Sequence, residues 1–166
     1  MSRPRGPGGP RRRPGPGGRP GQIGLRRLED GAFELVHPRC VDERREDYEE
    51  GLAIWQAGEP EEARDALRFA LEGCGDNLWI HVALGRIALE AMHDPKLARG
   101  HFGYAVELVE RALPRGFTGL LPTDRPANRP FYDALNGLIA CCEALGRTAE
   151  VAELRRMGDA LSGRSR

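Results

Sequence analysis

The chain holds four cysteines and four histidines, the side chains most often used for metal binding and nucleophilic catalysis. A zinc site needs paired ligands at short spacing. Cys141 and Cys142 are adjacent, and His37 and Cys40 form a mixed pair, so the sequence does not offer the two-plus-two ligand spacing of a zinc site. The others are Cys74, His81, His93 and His101. We expect no metal, no other cofactor, and reduced, mostly buried thiols, since these spacings make a poor disulfide framework.

Sequence motifs for catalysis are also missing. The body of the chain has no serine before Ser162, and no P-loop, GxGxxG, HExxH or GxSxG motif occurs. The acid pairs Glu49-Glu50 and Glu61-Glu62 are adjacent, so on a helix they point apart and cannot face each other across a substrate. We expect no enzymatic activity.

Arginine is the most unevenly distributed side chain. Residues 1–28 contain eight arginines and no acid, so the remainder carries a charge of −8. Of the first 21 residues, 19 are Gly, Pro or Arg, which predicts a disordered arm with no apolar side chain to bury. Guanidinium groups match phosphates, but no aromatic residue for base stacking precedes Phe33. The candidate nucleic-acid contacts are Arg3, Arg5, Arg11, Arg12, Arg13 and Arg19.

Three roles for the arm remain open at this point. It is a solvated tail that reflects base composition, a phosphate-binding segment, or a segment that folds back on the acidic run Asp42 to Glu50 and regulates access to a binding groove. The ratio of 24 arginines to one lysine is typical of a GC-rich genome and favours a bacterial source. No apolar run approaches the roughly 18 residues that a membrane span needs. No apolar run follows the basic start of the chain, as it would in a secretory signal. We expect a soluble, cytoplasmic protein without membrane contact.

Helical patterning begins near Val41. Proline and glycine punctuation predicts helices over 41–57, 60–73, 77–92, 95–113, 130–145 and 148–161. Asp76 and Asp94 are the expected N-caps of the third and fourth. The six helices pair as three hairpins, so the fold class is all-α. Residues 29–40 form a lead-in that is extended or one short helix, 114–129 a long loop within the 41–161 domain, and 162–166 a disordered tail.

An internal repeat relates these hairpins. Gly51 recurs as Gly85 after 34 residues, and Ala63 and Ala70 recur as Ala98 and Ala105 after 35. We place the extra residue in the turn at 93–96. In the third hairpin Leu84 recurs as Leu138 and Gly58 as Gly146. Small residues at such positions let antiparallel helices approach closely.

With these residues the chain resembles the tetratricopeptide (TPR) repeat family over residues 44–161, as about three degenerate repeats. Leu67 and Phe102 stand at the large position of the second helix, but Arg155 and Gly158 depart from the pattern in the third. The resemblance implies a right-handed solenoid of helical hairpins that binds partner segments on its concave face. The family's two-carboxylate clamp is not reproduced, since Tyr48 and Leu52 replace its Lys and Asn. We expect no chaperone co-factor of that type.

The resemblance places a set of residues on the concave face as candidate partner contacts. They are Tyr48, Leu52, Trp55, Trp79, Val82, Arg86, Glu90, Asp133, Asn136 and Glu143. We expect a non-enzymatic module that binds a protein or peptide, preferably basic because the body is acidic. The alternative is a nucleic-acid-associated factor that acts through the arm. A stack of three hairpins can also form a homodimer.

The loop 114–129 is a second candidate site, because 16 residues exceed what a connection between packed helices needs. Its polar residues are Asp124, Arg125, Asn128 and Arg129. The interpretation we favour is structural: Phe117, Leu120 and Leu121 cover the seam between the second and third hairpins, and Asn128 caps the next helix.

Overall fold

A computed structural model describes residues 21–164 of the chain. The elements in chain order are β1 (Gly24–Arg27), β2 (Phe33–Val36), α1 (Cys40–Glu43), α2 (Arg45–Gln56), α3 (Pro60–Glu72), α4 (Leu78–Arg86), α5 (Pro95–Ala112), α6 (Arg129–Ala144) and α7 (Thr148–Ser162). A π-helical segment, Ile87–Ala91, continues α4, and a 3-10 turn, Pro126–Asn128, precedes α6. The structure is mostly helical, and the predicted helices are confirmed, with the first divided at Arg44. None of the described helices is long and apolar enough to cross a membrane.

The all-α assignment needs one correction, because the lead-in forms an antiparallel β-hairpin. Leu25 pairs with Leu35, and β1 begins inside the segment predicted to be the disordered arm. The connection turns at Asp30-Gly31, where Gly31 has φ +85° and the Asp30 carboxylate accepts a hydrogen bond from the Ala32 amide at 2.9 Å. An Asp-Gly pair between apolar residues is a hairpin signal. The hairpin buries Leu35 in the main core.

Helix starts depend on local side chains. The Asp94 carboxylate accepts a hydrogen bond from the Leu97 amide at 3.0 Å, which confirms the predicted cap of α5. The cap of α4 is Asn77, not Asp76: its side-chain oxygen accepts from the Ile80 amide at 3.2 Å. Asn77 is 1% exposed and stands directly before Leu78, the first residue of α4, which is the N-cap position.

The repeated glycines mark places where helices touch. A Cβ on Gly51 would lie 2.6 Å from the side chain of Leu67, and one on Gly85 would lie 2.7 Å from the Phe102 ring. Real carbon contacts are about 3.5–4.0 Å, so neither position has room for a side chain. In the third hairpin the small residue is Gly158 of α7, where a Cβ would lie 2.9 Å from Leu135. Each helical pair therefore closes through one small residue against one large one.

The extra residue of the second repeat lies before the turn, which corrects the predicted position. Seven residues separate Gly51 from the positive-φ turn residue Gly58, whereas eight separate Gly85 from its counterpart His93, at φ +51°. The π-helical segment between them holds the additional residue, with the Met92 amide donating to the Ile87 carbonyl at 3.1 Å. A π-bulge absorbs an insertion without ending the helix.

The core has two parts. One joins α3 to α4 around Leu67 and Ile80, with the half-buried residues of α2 packed against it. The larger joins α4, α5, α6, α7 and the β-hairpin around Phe102 and Phe131. The Phe102 ring is 1% exposed and lies between two glycines, since a Cβ on Gly137 of α6 would also approach it to 2.6 Å. One ring thus sets the spacing of three helices.

Candidate functional site

Two adjoining hollows form a groove along α2 and α4. The larger, about 430 Å³, lies beside the end of β2. The smaller, about 110 Å³, reaches α6. Tyr48 and Trp79 line both, which makes the groove continuous. The larger hollow is lined by Arg26, Leu35, Val36, His37, Pro38, Val41, Asp42, Arg45, Tyr48, Glu49, Asn77 and Trp79. The smaller is lined by Tyr48, Leu52, Trp55, Trp79, Val82, Ala83, Arg86, Pro130 and Asp133.

The smaller hollow brings together most of the residues proposed from the sequence. Tyr48, Leu52 and Trp55 follow one stripe of α2, because spacings of four and three residues keep side chains on one helical face. Trp79, Val82 and Arg86 form the corresponding stripe of α4, and Asp133 faces them from α6. Three of the proposed residues lie elsewhere: Glu90 and Glu143 outside the lining, and Asn136 in a separate hollow beside α7.

Arg86 is held in place on the groove wall. Its guanidinium carbon lies 5.1 Å from the centroid of the Trp55 ring, a cation–π geometry. Its Nε donates to a Glu90 carboxylate oxygen at 3.2 Å. Glu90 and the Trp55 ring therefore pair with this arginine and fix its orientation before any partner binds.

His37 and Trp79 form an aromatic pair in the larger hollow, which sequence reasoning missed. Their ring centroids are 4.3 Å apart. The His37 Nε2 donates to the Ala127 carbonyl at 2.7 Å, since a carbonyl can only accept. Burial lowers the pKa of His37, partly offset by that bond and by Asp42, so the ring is neutral at pH 7. The only signal in the sequence was the nearby Pro38, which disfavours a helix at His37.

The residues that line the groove include three arginines and three acids, so their formal charge is zero and the ion pairs decide which charges are left unpaired. Each lining arginine already pairs with a carboxylate: Arg26 with Glu34, Arg45 with Asp42 at 2.7 Å, and Arg86 with Glu90 at 3.2 Å. The other two lining acids, Glu49 and Asp133, pair with no basic side chain among residues 21–164.

Asp133 lies on the α6 side of the smaller hollow and is an exposed residue whose carboxyl is only partly desolvated. Burial raises the pKa of its carboxyl, while Arg129 and Arg86 oppose the rise. A raised carboxyl pKa means that the ionised form lacks full solvation. A cationic group placed beside Asp133 would restore that solvation, so this carboxylate favours a basic occupant.

The loop 114–129 is a structural connection held by Asn128. This side chain is fully buried and accepts from the Leu35 amide at 2.9 Å while donating to the Phe33 carbonyl at 3.2 Å and the Pro122 carbonyl at 3.0 Å. It makes no bond to the start of α6, so the expectation that it caps this helix is wrong. The side-chain amide instead joins the loop to the β-hairpin, because its oxygen accepts from one N–H and its nitrogen donates to two carbonyls.

The rest of the loop agrees with the structural interpretation in part, since Leu120, expected to cover a seam between hairpins, is 43% exposed. Leu121 is fully buried, and its amide donates to the Leu161 carbonyl at 2.8 Å. The Leu120 carbonyl accepts from the Phe33 amide at 2.8 Å, so the loop lies between the hairpin and α7. Asp124, Arg125 and Arg129 line none of the hollows described above.

The cysteines require a correction. Cys40 and Cys74 form a disulfide, with Cα atoms 5.5 Å apart, that joins the start of α1 to the turn before α4. The expectation of four reduced thiols is therefore wrong, because folding brings together residues 34 positions apart. Cys141 and Cys142 are free and buried, and burial raises the pKa of both thiols. A raised pKa disfavours the reactive thiolate.

No group of three or more His, Cys, Asp or Glu side chains that could hold a metal ion occurs between residues 21 and 164. The candidate nucleic-acid contacts lie outside the described residues. They are Arg3, Arg5, Arg11, Arg12, Arg13 and Arg19.

Comparison with known proteins gives no match. No family model matches the chain, and neither a curated protein nor a solved structure is similar to it at the significance required.

Proposed function

We propose that the chain is a non-enzymatic, TPR-like module whose groove binds a basic, proline-containing segment of a partner protein. The observation that carries the proposal is the convergence of two tryptophans, Trp55 and Trp79, with the unpaired carboxylates Glu49 and Asp133 in one groove. Aromatic-lined grooves recognise proline-rich segments, and tryptophan is enriched among residues that dominate binding energy. The carboxylates supply the preference for positive charge.

The TPR-like, right-handed solenoid arrangement is part of this proposal. Its support is the order of packing, since α2 packs on α3, α4 on α5 and α6 on α7, with α3 against α4 and α5 against α6. The small-against-large pairs Gly51 with Leu67 and Gly85 with Phe102 add to it. In such an array the first helices of successive hairpins share one face. The stripe of groove residues on α2, α4 and α6 agrees with that geometry.

The test measures binding of two fluorescein-labelled peptides by anisotropy, one of four Arg-Pro-Gly repeats and one of four Glu-Pro-Gly repeats. We expect only the arginine peptide to bind. Trp79→Ala should weaken it at least tenfold, because truncating an interface tryptophan commonly costs about 2 kcal/mol or more. Glu49→Gln combined with Asp133→Asn should weaken it and reduce its salt dependence without disturbing the core.

The matched control is Phe69→Ala, which also removes an aromatic ring but from the exposed surface of α3, where Phe69 is 64% exposed. This variant should bind as the parent does. Equal binding of the two peptides, or equal affinity of the Trp79→Ala and Phe69→Ala variants, would contradict the proposed site.

The second candidate function is nucleic-acid binding through the arm. Its support is the composition of residues 1–20, with six arginines and no acid. Neutralising phosphates releases counterions, so binding through about six arginines should give a steep fall of affinity with salt. Filter binding of single-stranded RNA by the full chain, with and without the six arginines changed to Gln, measures this. Salt-insensitive binding, or no binding, would exclude the candidate.

The cytoplasmic location also remains a proposal, and the Cys40–Cys74 disulfide counts against it, since such bonds persist mainly in oxidising compartments.

A further inference from the structure

The occupant proposed for the groove is a basic segment, and the chain itself carries one. Residues 1–20 contain six arginines, six prolines and no acid. Residues 21–164 contain 18 basic and 25 acidic residues, a net charge of −7. Segments rich in proline favour the polyproline II conformation, which docks on aromatic-lined grooves at low entropic cost. The composition of the arm therefore matches the groove in both charge and aromatic lining.

The arm also begins at the groove. Ile23 is 5% exposed and fixes the chain in the core, and Arg26, three residues later, lines the larger hollow. A 20-residue segment at about 3.1 Å per residue can extend about 60 Å. It is thus long enough to pass along both hollows from the point where it joins the body.

Attachment raises the local concentration of the arm. A short flexible tether gives an effective concentration in the millimolar range, about 1 mM. An arm with an intrinsic Kd of about 0.1 mM would then occupy the groove about nine-tenths of the time, and a competing peptide would bind about tenfold more weakly. Weak intrinsic affinity is sufficient for strong occupancy.

We propose that the arm of the same chain, residues 1–20, is the resident occupant of the groove and must be displaced before a partner segment binds. This inference depends on the proposed function, because it assigns the occupant of that same groove. The contact is intramolecular, and arginines of the arm pair with the carboxylates Glu49 and Asp133.

The test uses the full chain with Trp55→Phe, which leaves Trp79 as the only tryptophan and therefore as a reporter inside the groove. Acrylamide quenching of Trp79 is compared with and without the six arm arginines changed to Gln. We expect greater quenching without the arginines, at every protein concentration. The pair Glu49→Gln and Asp133→Asn should have the same effect. The pair Glu61→Gln and Glu62→Gln, exposed acids in the first turn of α3, should have none.

A second readout measures the affinity of the Arg-Pro-Gly peptide for the same chains. Changing the arm arginines to Gln should raise its affinity about tenfold. If the peptide binds both chains equally and quenching is unchanged, the arm does not occupy the groove, while the partner-binding function stands. If the peptide binds neither chain but the arm still protects Trp79, the partner-binding function fails and the arm contact stands. Protection that grows with protein concentration would assign the occupant to a second copy and overturn the intramolecular contact.

Discussion

The Phe102 ring offers a direct test of how three helices are spaced. We expect Gly85→Ala to destabilise the fold, because its Cβ would lie 2.7 Å from a ring that cannot move away toward Gly137. Overpacking of a core costs about 1–3 kcal/mol. The better helix propensity of alanine returns about 1 kcal/mol, which leaves a net loss of between about 0 and 2 kcal/mol.

Gly100→Ala is the matched control, since Gly100 lies in α5 with nothing within 4 Å of its would-be Cβ. This substitution keeps the gain in helix propensity without the clash, so it should stabilise by up to about 1 kcal/mol. Urea unfolding monitored by circular dichroism gives the free energy of unfolding of each variant. The two alanine variants should differ by about 1–3 kcal/mol, or roughly 2–12 °C in Tm.

A double-mutant cycle identifies the cause. Phe102→Ala removes the ring altogether, whereas a leucine would not relieve the contact, since a Cβ on Gly51 would already lie 2.6 Å from Leu67. If the clash is the cause, Gly85→Ala should not destabilise the Phe102→Ala background, which gives a coupling of about 1–3 kcal/mol. A Gly85→Ala variant as stable as Gly100→Ala, or a coupling near zero, would refute the close-approach argument.

Three further predictions concern single contacts. Asn128→Leu leaves one amide and two carbonyls without partners, so it should lower the free energy of unfolding, measured by urea titration, by about 3 kcal/mol or more. The control Asp124→Ala, at an exposed position, should change it by less than about 0.5 kcal/mol. Thiol titration of the unfolded chain should find two thiols before reduction and four after it. Four thiols before reduction would contradict the disulfide. Loss of the Cys40–Cys74 bond, which spans 34 residues, should lower the free energy of unfolding by about 3–4 kcal/mol. Hydrogen bonds to Glu150, led by that from Arg99, hold the pKa of its carboxyl at about 2, so its contribution to stability is complete above about pH 4.5 and is lost as the pH falls toward 2. In acid titrations the stability difference between the parent and Glu150→Gln should shrink over that range, and a constant difference would contradict the pKa shift.

Local pattern was sufficient to predict the helices. Proline at helix starts, glycine at turns and apolar spacing along each helix act within a few residues, so the boundaries of α3, α5 and α7 were predicted closely. The stripes of α2 and α4 were predictable for the same reason, and six of the eight main partner-contact candidates line one hollow. The identity of the partner was not predictable, since affinity depends also on the surface of the partner.

Long-range contacts were decided only by the tertiary structure. The Cys40–Cys74 pair joins positions 34 residues apart, and Asn128 bonds to the Leu35 amide across 93 residues. No property of either residue type distinguishes these roles, because a cysteine or an asparagine suits many partners and only packing selects one. Likewise, the His37–Trp79 pair exists because the loop before α6 presents a carbonyl to the imidazole. The sequence by itself determined which segments are helical and which faces are apolar; the fold determined which polar groups meet, since those meetings depend on distances that no local pattern specifies.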